Sequence, residues 1–218
     1  MSITLLGILD LVGTIAFAIA GAVVAIGEEM DLFGINVLAV CTATGGGVIR
    51  DLLISNTPPS SFRNPFYVAV AAVTANIVFV MILRIKRIPK NRRHNSLTVI
   101  YDKMLFWFDT LGLAAFTIDG VMAGIRAGHG DNLFLIIFLG MMTGVGGGAL
   151  RDILANRMPA ILYKHVYALS SIAGGLIMAV LAEIVGKLQI GMAAGFMTVI
   201  ALRCLAVHFE WNLPRMRK

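Results

Sequence analysis

The side chains of this chain best suited to chemistry come in duplicate. Gly45-Gly46-Gly47-Val48-Ile49-Arg50-Asp51 returns as Gly146-Gly147-Gly148-Ala149-Leu150-Arg151-Asp152, each time inside an apolar stretch. Three successive glycines cost a helix about 1 kcal/mol each relative to alanine, and an Arg-Asp step at membrane depth is expensive unless it is partnered or wetted. A sequence that accepts both costs twice is building something at these positions. Breaks at Gly45 to Gly47 and at Gly146 to Gly148 would free carbonyls near the bilayer middle. Free carbonyls replace the hydration shell of a small cation, and half-helix C-terminal ends carry partial negative charge. The other reading is that the glycines only let helices cross closely.

The motif charges raise a pairing question. Adjacent residues do not face each other on a helix, so the expectation is crossed pairs, Arg50 with Asp152 and Arg151 with Asp51, which either serve a pathway or hold the two segments together. Asp119 stands apart, since no basic residue lies within a helical turn of it in sequence. Ionised, it favours cations within a low-dielectric cavity. Protonated, it is a hydrogen-bonding group between helices.

Stepping outward, 58% of the 218 residues are hydrophobic and only 14% charged, with a mean hydropathy of +0.86. These values belong to a polytopic membrane protein. Because backbone groups in hydrocarbon must be satisfied internally, the expected fold class is all-α. Seven apolar stretches of spanning length cover roughly 4–26, 33–54, 66–85, 104–125, 133–155, 166–186 and 188–208.

The halves align beyond the glycine motif: Asp10 with Asp109, Gly13 with Gly112, Phe17 with Phe116, Gly21 with Gly120, Pro58 with Pro159 and Tyr67 with Tyr167, while Asp119 falls on Ala20. Three spans is an odd number, so a second copy enters the membrane upside down, giving an inverted repeat. The chain then divides into a first three-helix repeat (1–86), a basic connector (87–103), a second, inverted three-helix repeat (104–186) and a seventh helix with a basic tail (187–218). The second and fifth helices are expected to break at their glycine triplets.

Basic residues orient the bundle. A cytoplasmic connector puts Arg84, Lys86, Arg87, Lys90, Arg92, Arg93, Lys103, Arg157, Lys164, Arg203, Arg215, Arg217 and Lys218 on one side, and leaves Arg63, Arg126 and Lys187 on the other. The Lys/Arg rule then sets the N-terminus outside and the C-terminus in the cytoplasm, with Trp107 and Trp211 at the inner boundary. The net charge of +6 suits anionic lipid headgroups near the connector and tail rather than nucleic acid.

The remaining residues are weaker candidates. Cys41 and Cys204 read as small buried hydrophobes, Asp10 and Asp109 as helix N-caps, and the Gly-x-x-x-Gly spacings at 120/124, 144/148 and 191/195 as packing sites. His94, His129, His165 and His208 lack metal-ligand spacing, no dinucleotide fingerprint or nucleophile with its base is present, and the N-terminal span lacks a signal-peptide cleavage pattern.

The two Gly-Gly-Gly-x-x-Arg-Asp segments, each followed by a proline seven residues after the Asp, and the three-plus-three-plus-one arrangement resemble the trimeric intracellular cation (TRIC) channel family. The resemblance covers essentially the whole chain. It is to the prokaryotic members, a group also carried as an uncharacterised membrane domain and labelled glycine transporter. It implies a homotrimer in the prokaryotic cytoplasmic (inner) membrane, with a pore in each protomer between the repeats. That pore bends at Gly45 to Gly47 and Gly146 to Gly148 and passes monovalent cations, K⁺ or Na⁺, with no cofactor. Animal members carry a lysine-containing motif in place of one glycine segment, so their phosphoinositide site does not transfer. A secondary transporter of a small solute such as glycine remains the alternative, and a non-transporting scaffold a third.

Overall fold

Long apolar segments bounded by good caps become helices here. The computed structural model describes residues 2–86, 96–163 and 166–211. In chain order it contains α1 (Ser2–Gly27), α2 (Leu32–Leu53), a short α3 (Ser60–Arg63), α4 (Phe66–Lys86), α5 (Ser96–Gly124) continued by a π-helical turn (Ile125–His129), α6 (Leu133–Leu154), a short α7 (Ala160–Tyr163), α8 (Val166–Val185) and α9 (Leu188–His208). Seven of these, α1, α2, α4, α5, α6, α8 and α9, are long and apolar enough to cross a membrane. The described residues contain no strand. The fourth spanning helix starts at Ser96, eight residues earlier than its apolar stretch suggests.

The helices carrying the duplicated motif are finished alike. Asp31 caps α2 by accepting from the Gly34 N–H at 2.7 Å, and Asn132 caps α6 by accepting from the Leu135 N–H at 3.0 Å, which satisfies one of the unpaired first-turn donors. Both helices end on a left-handed residue, Ser55 and Asn156, a conformation that lets the chain turn back on the last carbonyls. The short helices that follow begin after Pro59 and Pro159, whose carbonyls accept from Phe62 and Leu162 at 2.9 Å in both cases. Pro59, not Pro58, is therefore the structural counterpart of Pro159.

Both glycine triplets lie inside continuous α-helix. The expected breaks are absent, and no carbonyls are freed there. What the glycines permit is contact. A Cβ on Gly46 would lie 2.1 Å from the Thr143 carbonyl oxygen, and one on Gly147 would lie 2.1 Å from that of Thr42. So α2 and α6 cross backbone against backbone, where any side chain would hold them apart.

Around that crossing the contacts are reciprocal. Gly13 packs on Phe116 and Gly112 on Phe17; Gly21 packs on Thr42 and Gly120 on Thr143. Phe17 and Phe116 meet edge to face, with centroids 5.2 Å apart, one of the preferred aromatic geometries. Helices α1 and α5 carry this core and are the most buried spans, while α9 lies against α8 through Gly174 and Gly195.

The bundle has two ends. One bears residues 54–65 and 125–132, and will be called the first end. The other bears residues 27–31 and 155–163, with Trp107 and Trp211 exposed near it. Connector residues Arg87, Lys90, Arg92, Arg93 and His94, the loop residues Lys164 and His165, and tail residues Arg215, Arg217 and Lys218 lie outside the described residues.

Candidate functional site

Each motif arginine clamps its own neighbour. Arg50 Nε donates to Asp51 Oδ1 at 3.0 Å with its NH2 group at 2.9 Å from the same oxygen, and Arg151 does likewise to Asp152 at 2.9 and 2.8 Å. The crossed pairs expected from sequence do not form. Spacing along a helix predicts which Cβ atoms are neighbours, but a long arginine near a helix C-terminus turns back to reach the adjacent carboxylate, and in a dry environment a buried charge takes the nearest counter-charge it can reach.

The aspartates finish the corner. Asp51 Oδ2 accepts from the backbone N–H and hydroxyl of Ser60 at 2.7 and 2.6 Å, and Asp152 Oδ2 from the Ala160 N–H at 2.9 Å. One carboxylate thus joins the arginine to the start of the next short helix. Every buried polar group in the corner has a partner, as burial demands.

Both arginines spend their remaining NH1 group on α5. Arg50 pairs with Asp119, and Arg151 with Asp109 at 2.8 Å. Asp119 therefore does have a basic partner, supplied by another helix, which sequence distance concealed. Neither Asp10 nor Asp109 caps a helix: both lie well inside α1 and α5. Since α5 takes both guanidiniums, Asp10 on α1 is left over, and its Oδ1 is buried without a hydrogen-bond partner.

The two ends are built to different finishes. At the first end a cavity of about 700 Å³ is lined by Asp10, Arg50, Asp119, Tyr67, Ser60 and Arg126, among others, and it reaches inward to Thr44, Gly47, Phe116 and Thr143. Its floor is the backbone crossing of α2 and α6. Three of its lining residues are aspartates (10, 51 and 119) and two are arginines (50 and 126). Of the sequence-predicted site residues, Gly47, Arg50, Asp51 and Asp119 line it. Gly45 and Gly46 lie at or near the crossing, Gly45 against the Leu150 side chain; Gly146 and Gly147 lie at the crossing from α6.

At the second end the corresponding groups are packed solid. Asp109, Thr110, Arg151 and Tyr167 are each no more than 4% exposed. Tyr167 donates its hydroxyl to Asp109 Oδ1 at 3.2 Å, and Gly148 leaves room for that hydroxyl. Arg203 of α9 joins them, its guanidinium 4.7 Å from the Tyr167 ring centre and 5.2 Å from that of Phe106. Its Nε donates to Thr110 Oγ1 at 3.3 Å and its NH2 to Asp109 Oδ2 at 3.4 Å. Outside this cluster, Glu28 and Arg157 bridge the two halves at 2.5 Å with both side chains part exposed.

Sequence reasoning reads Asp10 and Asp109 as helix N-caps and Arg203 as a boundary charge, and gives Tyr167 no role. The signal was present: a charged side chain within an apolar span is a site candidate by default, and Arg203 sits five residues before the end of α9.

Fold and cavity together define a polytopic helical membrane protein with a polar cavity between two three-span halves. A family profile described as "Glycine transporter" matches residues 7–82 and 106–183. The chain is 36% identical to a UPF0126 membrane protein of Deinococcus radiodurans over 96% of this chain and 91% of that protein. It is 35% identical to the UPF0126 inner membrane protein YadS of Escherichia coli K12 over 94% and 93%. Among solved structures it superposes with TM-score 0.80 at 31% identity, covering 97% of both chains, on a protein from work on "conductance through TRIC cation channels". It also superposes with TM-score 0.81 at 29% identity on the TRIC trimeric intracellular cation channel orthologue from Rhodobacter sphaeroides, covering 95% of this chain and all of that one. The chain belongs to the TRIC-type membrane protein family that the glycine-transporter profile describes.

Proposed function

We propose that this protein is a channel for monovalent cations, K⁺ first, in a prokaryotic cytoplasmic membrane, with one pore in each subunit of a homotrimer. The N-terminus lies outside, so the first-end cavity is an external vestibule. Its inner wall, the α2–α6 crossing, and the buried cluster beyond it form the closed gate. A cation entering finds a wall that carries Asp10, Thr14 and Thr44, whose oxygens are ligands of the kind that replace hydration.

The observation that carries the choice of channel over carrier is that the two ends differ through residues without repeat mates. A carrier built on inverted repeats works by exchanging the conformations of its halves, and reciprocal contacts such as Gly13 on Phe116 with Gly112 on Phe17 support such a repeat here. Yet Asp119, which holds Arg50, falls on Ala20. Arg203, which braces the second end, belongs to a helix outside the duplication, and Glu28 pairs with Arg157 at the second end only. A brace fixed at one end by residues without mates suits a path gated at that end, because the two ends of a channel need not exchange roles. The solved relatives, described as TRIC cation channels, agree with this reading.

The deciding experiment is purified protein in a planar bilayer under a K⁺ gradient. Discrete unitary currents reversing near the K⁺ potential are expected. Saturable glycine uptake into proteoliposomes, without such currents, would mark the family description as the literal function instead.

A further inference from the structure

Within α9 Arg203 is the only Asp, Glu, Lys or Arg, and it is 5% exposed. It ties three helices together: α9 itself, α5 through Asp109, Thr110 and Phe106, and α8 through Tyr167. An arginine over two aromatic rings and beside a carboxylate is well held as long as its site stays dry.

The same geometry shows which member of the cluster is free to leave. Asp109 has two cationic partners. Arg151 holds one oxygen at 2.8 Å, whereas Arg203 reaches the other at 3.4 Å, at the long edge of hydrogen bonding. If Arg203 withdraws, Asp109 keeps Arg151 and the Tyr167 hydroxyl, so no carboxylate is stranded. Removing Arg151 would leave Asp152 with only the Ala160 N–H and Asp109 with only the long Arg203 contact and the Tyr167 hydroxyl. A place for the displaced guanidinium exists, because the five residues from Arg203 to His208 span about 7–8 Å of helix axis, a distance an extended arginine can snorkel to reach the interface.

We propose that Arg203 is the latch of the closed gate: the path opens when its guanidinium leaves its site over Phe106 and Tyr167, and closes when it returns. The seventh helix is then the gating element added to the six-span duplication. This rests on the channel reading above. The cation does not touch Arg203 in the vestibule, so the latch sets how often the pore is open and not how fast ions pass.

Single-channel recording of Arg203→Gln, Arg203→Lys and Phe106→Leu beside the wild type tests it. Open probability is expected to rise several-fold in Arg203→Gln through shortened closed dwell times, with unitary conductance unchanged within a factor of two. Arg203→Lys should fall between, because an ammonium keeps the charge but not the planar guanidinium. Phe106→Leu, which keeps every ion pair and opens one wall of the site, should also raise open probability. Should Arg203→Gln not assemble, the other two decide. Wild-type currents with unaltered or lowered open probability in the variants that assemble overturn the latch and leave the channel standing. Absence of unitary currents in wild type and variants alike, with glycine uptake, overturns the channel reading and the latch with it.

Discussion

A single oxygen distinguishes the first-end cavity from a neutral crevice. Arg50 is satisfied by Asp51 and Asp119, whereas the Oδ1 of Asp10 on the same cavity wall meets no donor. A buried acceptor without a partner is costly, and in a wet cavity a water, a proton or an arriving cation relieves that cost. Asp10→Asn should therefore lower the K⁺ over Cl⁻ permeability ratio, read from reversal potentials in asymmetric KCl. An unchanged ratio would remove Asp10 from the pathway. Asp119→Asn acts differently: it deprives Arg50 of a buried partner, so lost stability should precede any change in selectivity.

Among the elements, α2 and α6 show why three glycines stand in a row without a break. Each triplet meets three different surroundings. Gly46 faces a backbone carbonyl at 2.1 Å from an added Cβ, Gly45 faces the movable end of Leu150 at 2.5 Å, and Gly47 meets nothing nearer than the Arg50 guanidinium at 3.8 Å. Gly46→Ala and Gly147→Ala should therefore force α2 and α6 apart, an overpacking cost of about 1–3 kcal/mol or more, seen as a clear fall in Tm of the detergent-solubilised protein. Gly47→Ala should be neutral or raise Tm, since alanine is better than glycine in a helix by about 1 kcal/mol. Equal effects at Gly46 and Gly47 would show that helix flexibility, not contact, is what the triplet supplies.

For the molecule as a whole the difference between its ends is the central property. The first end holds water-accessible polar groups down to the helix crossing, whereas the second buries two arginines and two aspartates among Tyr167, Thr110 and Phe106. A hydrophilic thiol reagent should therefore modify Ser61→Cys and Thr44→Cys, both on the cavity wall, when added from one side of the membrane only. The background for this measurement lacks the free thiols of Cys41 and Cys204, each partly buried. The N-terminus-outside orientation requires that side to be external. Modification of Thr44→Cys from the opposite side would reverse the topology, and equal modification from both would mean that the gate is open at rest.

How much of this was legible in the residues alone varies with the range of the interaction. Composition and apolar run length settled the seven spans, all but the start of the fourth to within a few residues, because the bilayer imposes one length and one backbone solution on any segment that crosses it. The duplicated Gly-Gly-Gly-x-x-Arg-Asp motif marked the segments that build the core. Its physical meaning did not follow. Whether glycines break a helix or admit a neighbour depends on what stands opposite, and Thr143 and Thr42 lie about a hundred residues away in sequence. Likewise Arg50 and Asp119, 69 positions apart, and Arg203 and Asp109, 94 apart, are chosen by which helices the fold brings within reach of a guanidinium. Local rules fix what each segment becomes; only tertiary packing decides which charge is answered, and that among the described buried carboxyls Asp10 keeps an oxygen facing no donor.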